Sequence, residues 1–439
     1  MTASSIRVRD VLIVTVLAVW GAILVQHTKL PFPYEAHDAQ VLSAESRARL
    51  LGGTAAPLGW AEFTAVHTAI AAETKAEATK NWLARVQKLF VGQIEGVESV
   101  GVSQNGTLIL LDKYGYVHRA EHDDTMKNKN IGNNYGYHFV GDKFYIGPGR
   151  PLGYHIVEEH ETLILFVCCS LKGLLRVNLS KRTIEILSNT APDGTPINYA
   201  NDLDIGPKTG TIYFSSSTSD VVGYASVGQY YDTLRSYLLN FFKGDPSGRL
   251  FAYDPVTQTT TLLLDGLFYA NGVAVARDES YVLVVETSGY RVVQVWLDGP
   301  HAGTSNTLVG RLPGAPDGLS RSSSRRGDDD DTTTPESYWI CLVATASPLA
   351  YLAPYPRLRQ MAAHLLLPLL PRIASKILGS TAVLRVDSKG NVVRAYVDST
   401  SSTLQTISGV TETNDGDVVF FGSLSGNYVS RMNLNPEEN

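Results

Sequence analysis

Short apolar stretches separated by polar turns fill most of the chain, and the clearest case lies between residues 267 and 300. Residues 273–276, 281–285 and 291–296 are apolar or β-branched, and polar turns separate them. Stretches of this length that are bounded by turn residues predict β-strands. This segment therefore predicts three consecutive strands.

The same unit recurs along the chain, which is the signature of an array of small sheets. Six copies, two of them weaker, begin near Gly96, Arg150, Tyr199, Leu267, Gly314 and Ile407. Radial repetition of small sheets predicts an all-β fold, a six-bladed β-propeller with helical insertions. We expect a strand at residues 89–91 to pair with the C-terminal strand and close the ring, which removes free sheet edges.

Two copies carry insertions with helical spacing. In the third copy, aromatic residues and leucines between 231 and 242 recur at helical intervals. In the fifth, residues 349–378 form an apolar stretch that contains Pro368 and Pro371. This stretch packs over one face of the propeller, forms a substrate lid or touches a membrane. Residues 320–336 are charged and of low complexity, which predicts a solvated loop.

The N-terminal region predicts a membrane anchor. Apolar residues fill positions 11–25 after Arg7 and Arg9, and no clear cleavage site follows. We expect a type II, single-pass signal-anchor with the body in a lumen or outside the cell, in an endomembrane such as the endoplasmic reticulum or at the cell surface. The alternative is a cleaved signal peptide and a secreted protein. The predicted organisation is a cytoplasmic tail and anchor at 1–29, a partly helical stalk at 30–88 and the propeller at 89–439.

Net charge, cysteine content and glycosylation sequons limit which partners, disulfide bonds and modifications are expected. A net charge of −6 gives no reason to expect nucleic acid. Three cysteines, at 168, 169 and 341, do not form a disulfide framework. The tripeptides at Asn105 and Asn178 match the glycosylation sequon, which is compatible with a lumenal or extracellular body.

Polar side chains open four of the six units at the same position in the repeat. They are Glu98, Asn201, Asn271 and Asp317. The innermost strand of each blade starts near the central channel, so these side chains are expected to converge on one axis. Carboxylate and carboxamide oxygens suit Ca²⁺ better than Mg²⁺, Mn²⁺ or Zn²⁺. The hypothesis is a shared divalent cation, and the alternative is that Asn-Gly and Asp-Gly serve only as turns.

Several motifs, taken in order, resemble a known family. They are GRPLG at 149–153, YANDLDI at 199–205, a helical insertion ending in GDPSGRLFAYDP, YANGVAV at 269–275 and PDGL at 316–319. The chain thereby resembles the strictosidine synthase-like family that includes adipocyte plasma membrane-associated protein. The resemblance covers about Leu89 to the C-terminus and includes an N-terminal signal-anchor.

The resemblance implies a fold and a ligand set. These proteins are similar in fold to gluconolactonase/regucalcin and paraoxonase, which are six-bladed propeller hydrolases with an axial divalent cation held by Glu, Asn, Asn and Asp. Carried over by motif, those ligands are Glu98, Asn201, Asn271 and Asp317, and all four residue types match.

The chain also departs from some relatives. Strictosidine synthase condenses an amine with an aldehyde through a glutamate at the start of its last blade, where this chain has Ser408 or Gly409. Paraoxonases place a histidine between proline and glycine, where this chain has Leu152. His155, nearby, is either a surface histidine or a channel-facing acid/base.

The first functional hypothesis is a calcium-dependent hydrolase of small esters or lactones, similar to an arylesterase or lactonase. Asp317 is the expected general base, and Arg150 and Tyr154 are expected to line the substrate pocket. The second hypothesis is a non-catalytic, membrane-tethered binding propeller with a structural cation. An amine–aldehyde condensing enzyme is the third.

Overall fold

The computed structural model describes residues 19–20, 82–123, 134–159, 162–225, 228–323, 336–345, 355–366, 380–398 and 403–434. Within them the chain folds into six antiparallel sheets, which are the six blades of a propeller. The predicted all-β, six-bladed architecture is therefore confirmed.

The first three blades follow the chain in order. Blade 1 contains β2 (Val100–Val102), β3 (Leu108–Leu111), β4 (Tyr116–His122), β5 (Tyr137–Phe139) and β6 (Phe144–Tyr145). Blade 2 contains β7 (Pro151–Glu159), β8 (Thr162–Cys169), β9 (Gly173–Asn178) and β10 (Thr183–Ser188). Blade 3 contains β11 (Ala200–Ile205), β12 (Ile212–Ser216), β15 (Gly248–Asp254) and β16 (Thr259–Leu267).

The other three blades complete the ring. Blade 4 contains β17 (Ala270–Val275), β18 (Tyr281–Glu286), β19 (Arg291–Trp296) and β20 (Ser305–Val309). Blade 5 contains β21 (Gly314–Arg321), β22 (Ser337–Thr345), β23 (Thr381–Asp387) and β24 (Val392–Asp398). Blade 6 contains β25 (Ile407–Glu412), β26 (Val418–Ser423), β27 (Val429–Asn433) and β1 (Gln87–Leu89).

Two insertions stand out from the blades. Between β12 and β15 the chain forms a small hairpin, β13 (Tyr224–Ala225) and β14 (Tyr230–Tyr231), followed by helix α1 (Thr233–Lys243). Between β22 and β23 lies helix α2 (Pro356–Leu366), which packs on α1. Short 3₁₀ helices occupy Trp82–Arg85 and Gly299–His301.

The ring closes by pairing of the N- and C-terminal strands as the sequence predicts, but the closing strand is Gln87–Leu89 and not the predicted 89–91. Strand β1 pairs antiparallel with β27, and Leu89 lies opposite Val429. The side chains of the preceding 3₁₀ helix reinforce this junction, because Arg85 donates to the carbonyl of Asn433 and Trp82 to that of Val397. The last sheet thus joins residues from both ends of the propeller, which leaves no unpaired blade between them.

The first strand of five of the six blades carries an irregularity at its start, and β2 of blade 1 is the exception. The pairing register shifts between residues 151 and 154, 200 and 203, 270 and 273, 316 and 319, and 407 and 410. Three of these positions hold the predicted unit openings Asn201, Asn271 and Asp317. A β-bulge changes the direction in which one side chain points. At these five equivalent positions the side chains therefore do not follow the regular alternation of a strand.

Glycine follows the re-aimed residue in four of these bulges because neighbouring blades approach closely there. A Cβ atom on Gly272 would lie 2.5 Å from the carbonyl oxygen of Asp317, and one on Gly409 would lie 2.6 Å from that of Glu98. In the third blade Asp202 takes the equivalent position. Its carboxylate accepts a hydrogen bond from the backbone N–H of Val273, at 3.0 Å.

The helical expectations are met in part. Helix α1 coincides with the predicted helix, with Asp232 as its N-cap and Gly244 in the left-handed conformation at its end. Helix α2 covers part of the predicted segment 349–378, and Pro368 and Pro371 lie outside the described residues. The stalk up to residue 81 and most of the charged loop, 324–335, also lie outside them.

The predicted anchor at 11–25 lies outside the described residues, apart from Val19 and Trp20. Within the part of the chain that the structure describes, no helix has the length and apolar character needed to cross a membrane.

Candidate functional site

A cavity lies where the first strands of the blades begin, and together with the open solvent at its mouth it comprises about 460 Å³. All four predicted ligands, Glu98, Asn201, Asn271 and Asp317, line it together. Each is buried, with 2–5 % of its surface exposed. The other lining residues are Tyr199, Thr233, Leu234, Tyr237, Tyr269, Thr287, Ala315, Val343, Ala344 and Leu424.

The bulges place three of the four polar side chains. Asn201, Asn271 and Asp317 occupy the irregular positions of β11, β17 and β21, and Glu98 stands two residues before β2. Without the bulges, alternation along the strand would set these side chains in the packed interface between blades. The fold therefore brings the four predicted residues to one cavity.

The two carboxamides are held in the same way by equivalent hydroxyl groups. Asn201 Nδ2 donates to Ser217 Oγ at 2.7 Å, and Asn271 Nδ2 donates to Thr287 Oγ1 at 3.2 Å. Each hydroxyl belongs to the residue just after the second strand of the blade, 16 positions further along. Because the amide nitrogen is used in this contact, the carboxamide oxygen remains for another partner.

Three oxygen atoms at the floor of the cavity are buried without a hydrogen-bond partner. They are Glu98 Oε2, Asn201 Oδ1 and Asp317 Oδ2. Buried oxygens of this kind cost free energy unless something satisfies them. Two carboxylates and two carboxamides form a hard, oxygen-only donor set, which fits Ca²⁺. Among the described residues, no group of three or more His, Cys, Asp or Glu side chains is placed to hold a metal ion.

Burial and mutual repulsion set the protonation of the two carboxyl groups. Burial raises the pKa of Glu98 to about 7, and the Arg150 guanidinium partly opposes this shift. Burial, followed by the nearby charge of Glu98, raises the pKa of Asp317 well above its usual range, against the hydrogen bond donated by Asn271. The metal-free site therefore keeps its carboxyls protonated up to a higher pH than carboxyls on the surface.

These pKa values give a pH dependence of definite sign. A carboxyl group whose pKa is higher in the folded than in the unfolded protein stabilises the fold at low pH. This contribution is lost as the pH rises from the pKa of the unfolded state to the folded pKa, which is about 7 for Glu98. We expect the cation-free protein to lose stability across this window. Calcium should stabilise it more near about pH 8 than near about pH 5, because the cation binds ionised carboxylates.

Thermal unfolding across this pH range, in chelator and in calcium, checks both signs. Glu98→Gln removes one titrating group and should flatten the cation-free profile. Identical cation-free profiles for the wild type and Glu98→Gln would contradict the assignment.

The walls of the cavity are aromatic and aliphatic, and the sequence analysis did not predict them. Helix α1 contributes Thr233, Leu234 and Tyr237, and Tyr199 and Tyr269 face each other with ring centroids 5.6 Å apart. A signal was present, because these two tyrosines stand two residues before Asn201 and Asn271 in the repeated YAN motif. No lysine, arginine or histidine is found among the described residues that line the cavity.

Arg150 lies behind the floor rather than in the lining. Its side chain is 3 % exposed, and its Nη2 atom is 3.9 Å from Glu98 Oε2. It also donates to Thr233 Oγ1 and to the carbonyls of Gly96 and Leu424. Arg150 thus contacts cavity residues from outside and is placed to act on them, not on a substrate.

The structure does not bring Tyr154 or His155 to the cavity. The Tyr154 hydroxyl accepts from the backbone N–H of Gly101 and donates to the carbonyl of Ile109, so it seals the junction between blades 1 and 2. His155 is further along β7, with its side chain 41 % exposed and 3.5 Å from Asp204. Neither side chain lines the cavity that contains Asp317.

The two sequons differ in accessibility. Asn105 is exposed in the turn before β3, where its Oδ1 accepts from Ser103 and from the backbone of Thr107. Asn178 is buried at the end of β9, and its Oδ1 accepts from the N–H of Lys181 at 2.8 Å. Asn105 is therefore the sequon asparagine whose side chain is accessible for glycosylation. Glycosylation itself stays a prediction.

Blade 6 has no carboxylate at its bulge. Ser408 Oγ donates to the carbonyl of Glu98 at 2.9 Å, and Gly409 packs against the same carbonyl. Glu412, nearby in sequence, accepts from Trp339 and Ser322 instead. The glutamate that a strictosidine synthase-type condensation requires is thus absent from this position of the described chain.

Comparisons with known proteins agree with the motifs. A sequence model of the strictosidine synthase family matches residues 201–300. Adipocyte plasma membrane-associated protein of Rattus norvegicus is 30% identical over 299 residues, which cover 65% of this chain and 70% of the relative. Protein strictosidine synthase-like 10 of Arabidopsis thaliana is 31% identical over 269 residues, which cover 60% and 64% of the two chains.

Solved structures with a similar outline include a gluconolactonase of Xanthomonas campestris, with 14% identity, 79% of this chain and 89% of that chain covered, and a TM-score of 0.49. The sequence relationship to the curated relatives, which extends over most of the rat protein, decides the assignment. This chain belongs to the strictosidine synthase-like family that includes the adipocyte plasma membrane-associated proteins.

Proposed function

We propose that this propeller is a divalent-cation-dependent hydrolase of small esters or lactones. The observation that supports it is the set of three buried, unpartnered oxygens of Glu98, Asn201 and Asp317 at the floor of an apolar cavity. A purely structural set of turns would not need carboxylate and carboxamide oxygens to converge without hydrogen-bond partners.

Glu98, Asn201, Asn271 and Asp317 would hold the cation, and calcium fits their oxygen donors. When bound, such an ion polarises an ester carbonyl and stabilises the negative charge that develops on its oxygen. Asp317 is the candidate general base, since it lines the cavity and its Oδ2 has no hydrogen-bond partner, so this oxygen is placed to take a proton from water.

The proton and bond changes balance within this scheme. Asp317 takes a proton from the attacking water, whose oxygen forms a bond to the acyl carbon. The bond from that carbon to the alkoxy oxygen breaks, and the proton passes to the departing alcohol, which in a lactone is the ring oxygen. The products are a carboxylic acid and an alcohol, with no further reactant.

The walls favour a substrate with an apolar organic part. Tyr269 donates to the Thr233 carbonyl at 3.4 Å, and Tyr237 is hydrogen-bonded to Tyr290. Burial raises the pKa of Tyr237 to about 12, so it remains a neutral phenol. These hydroxyl groups already have hydrogen-bond partners. A polyhydroxylated substrate would therefore lose its hydrogen bonds to water on entering the cavity and would not form equivalent ones there. Phenyl acetate and alkyl-substituted lactones are therefore the preferred probes.

Removal of the cation is the direct test. Hydrolysis of phenyl acetate and a lactone panel by the full-length chain should require calcium and stop in excess chelator. Restoration of turnover by added calcium is the expected result. Calcium-raised thermal stability without turnover would instead support a binding propeller with a structural ion, and no effect of calcium on either would remove the cation from the proposal.

Membrane association through residues 11–25 is also part of the proposal, supported by the names of the plasma membrane-associated relatives and by the apolar sequence. Extraction of the full-length protein from membranes by detergent but not by alkaline carbonate is the expected outcome. Release by carbonate would contradict an integral anchor.

A further inference from the structure

Arg150 is a buried guanidinium at the back of the cavity floor. It begins the second blade, and 3 % of its surface is exposed. Its Nη1 donates to Thr233 Oγ1 at 2.8 Å, and its Nη2 donates to the carbonyls of Leu424 at 2.9 Å and Gly96 at 3.3 Å. The planar fork is therefore held by blade 1, blade 6 and the first residue of α1 at once.

These three acceptors are neutral and do not balance the positive charge. In the part of the chain that the structure describes, the ion-pair partner of Arg150 is Glu98, whose Oε2 lies 3.9 Å from Nη2. Two other carboxylates lie near Arg150, but Glu95 is hydrogen-bonded to Lys113 and Tyr114, and Asp317 accepts a hydrogen bond from Asn271. Glu98 Oε2 itself has no hydrogen-bond donor. Arg150 and Glu98 are thus each other's charge partner across a gap that is longer than a hydrogen bond.

We propose that Arg150 is a built-in counter-ion of the cation site, which balances Glu98 while the site holds no cation. The inference rests on the proposed function for the role of the cation, and on the geometry alone for the pairing of the two side chains. A cation on Glu98 would add a second positive charge to the same buried cluster. Arg150 therefore stabilises the cation-free fold and reduces the stability gained from cation binding.

The pairing is tested with a double-mutant cycle of Arg150→Met and Glu98→Gln, measured as urea unfolding of the full-length protein in chelator at about pH 8.5, where the Glu98 carboxyl, whose pKa is raised to about 7, is ionised. Arg150→Met should raise the unfolding equilibrium constant by about 100-fold, because it leaves a buried carboxylate without its counter-ion. Adding Glu98→Gln should recover about 10-fold or more of this loss, because the unbalanced charge is removed with it.

A role limited to packing or to the neutral acceptors predicts a different result. The double variant would then be as unstable as Arg150→Met, and this outcome would overturn the proposal. If Arg150→Met does not fold, recovery of a folded protein in the double variant supports the pairing, and failure of both variants to fold contradicts it. Thr233→Val and Thr233→Ser serve as a matched pair that measures the hydroxyl contact separately.

A calcium titration separates this inference from the proposed function. At about pH 8.5, which disfavours protonated carboxyls, the calcium-induced rise in Tm should be larger in Arg150→Met than in the wild type. An equal or smaller rise would contradict the counter-ion role. If the wild type shows no rise, the cation site fails, and the double-mutant cycle in chelator still decides whether Arg150 balances Glu98.

Discussion

Replacing Asp317 with asparagine is expected to lower kcat/KM for phenyl acetate by about 1000-fold, the upper range for loss of a general base together with a ligand charge. Asparagine keeps the size of the side chain and can still accept at Oδ1. It cannot take the proton from water at neutral pH, and it removes one of the two carboxylates at the floor. Asp317 also accepts a hydrogen bond from Asn271, so the substitution acts within the ligand set itself.

The matched control is Asp112→Asn. Asp112 is equally buried, at 5 % exposure, but it lies in blade 1, where it accepts from the backbone of Tyr114 and Tyr116 and pairs with His118. It does not line the cavity. Asp112→Asn should therefore change stability and leave kcat/KM within about 3-fold, in keeping with a site outside the reaction. Wild-type turnover by Asp317→Asn, under calcium, would show that the base lies elsewhere.

Gly272→Ala is expected to destabilise the propeller by about 3 kcal/mol and to weaken calcium binding. The added Cβ would lie 2.5 Å from the carbonyl oxygen of Asp317 and 2.7 Å from the carbonyl carbon of Gly318. Both atoms belong to the backbone of the next blade, which cannot move aside as a flexible side chain can. The clash would push β21 away from β17 and shift Asp317 from its position beside Asn271.

Gly223→Ala is the control for this experiment. Gly223 lies in the insertion before β13, where nothing would stand within 4 Å of an added Cβ. Its replacement should change the free energy of unfolding by less than about 0.5 kcal/mol. Urea unfolding of both variants, in calcium and in chelator, gives the comparison. Equal stability of the two variants would mean that the blade junction tolerates the extra atom.

The repeat made the fold and the floor of the site predictable from sequence. Residues 281–285 and 291–296 were predicted as strands, and they form β18 (Tyr281–Glu286) and β19 (Arg291–Trp296). The polar residue at each unit opening predicted a convergence of Glu98, Asn201, Asn271 and Asp317, and the cavity contains all four. Both predictions work because a propeller maps equal positions in the repeat to equal places around one axis.

The walls depend on contacts that a repeat does not encode. Tyr237 and Leu234 reach the cavity only because α1, a helix inserted between β12 and β15 of blade 3, folds back over it. Tyr154 follows directly after the GRPLG motif, yet the bulge of β7 turns it into the junction between blades. A bulge adds one residue to one strand and so shifts the alternation of the residues near it. The face of the sheet on which such a residue lies therefore cannot be predicted from the repeat alone.

The same bulges explain why Asn-Gly and Asp-Gly were open to two interpretations. Such dipeptides commonly mark tight hairpin turns. Here the first residue supplies a side chain to the cavity, and Gly272 or Gly318 supplies the space in which the next blade approaches. The glycine is needed because the backbone of the next blade approaches it closely, and not because its φ angle is positive. The sequence alone does not distinguish these two requirements.

The closing sheet has a consequence for how the protein is made. Arg85 donates to the carbonyl of Asn433 across a sequence separation of 348 residues. At synthesis rates of about 5–20 residues per second, β1 leaves the ribosome roughly 20–70 s before β27 exists. During that time its edge is exposed to any other unpaired strand, including those of a neighbouring nascent chain. The ring therefore cannot close before blade 6 has been synthesised, and a ribosome that stalls in blade 6 leaves five blades with an open, association-prone edge.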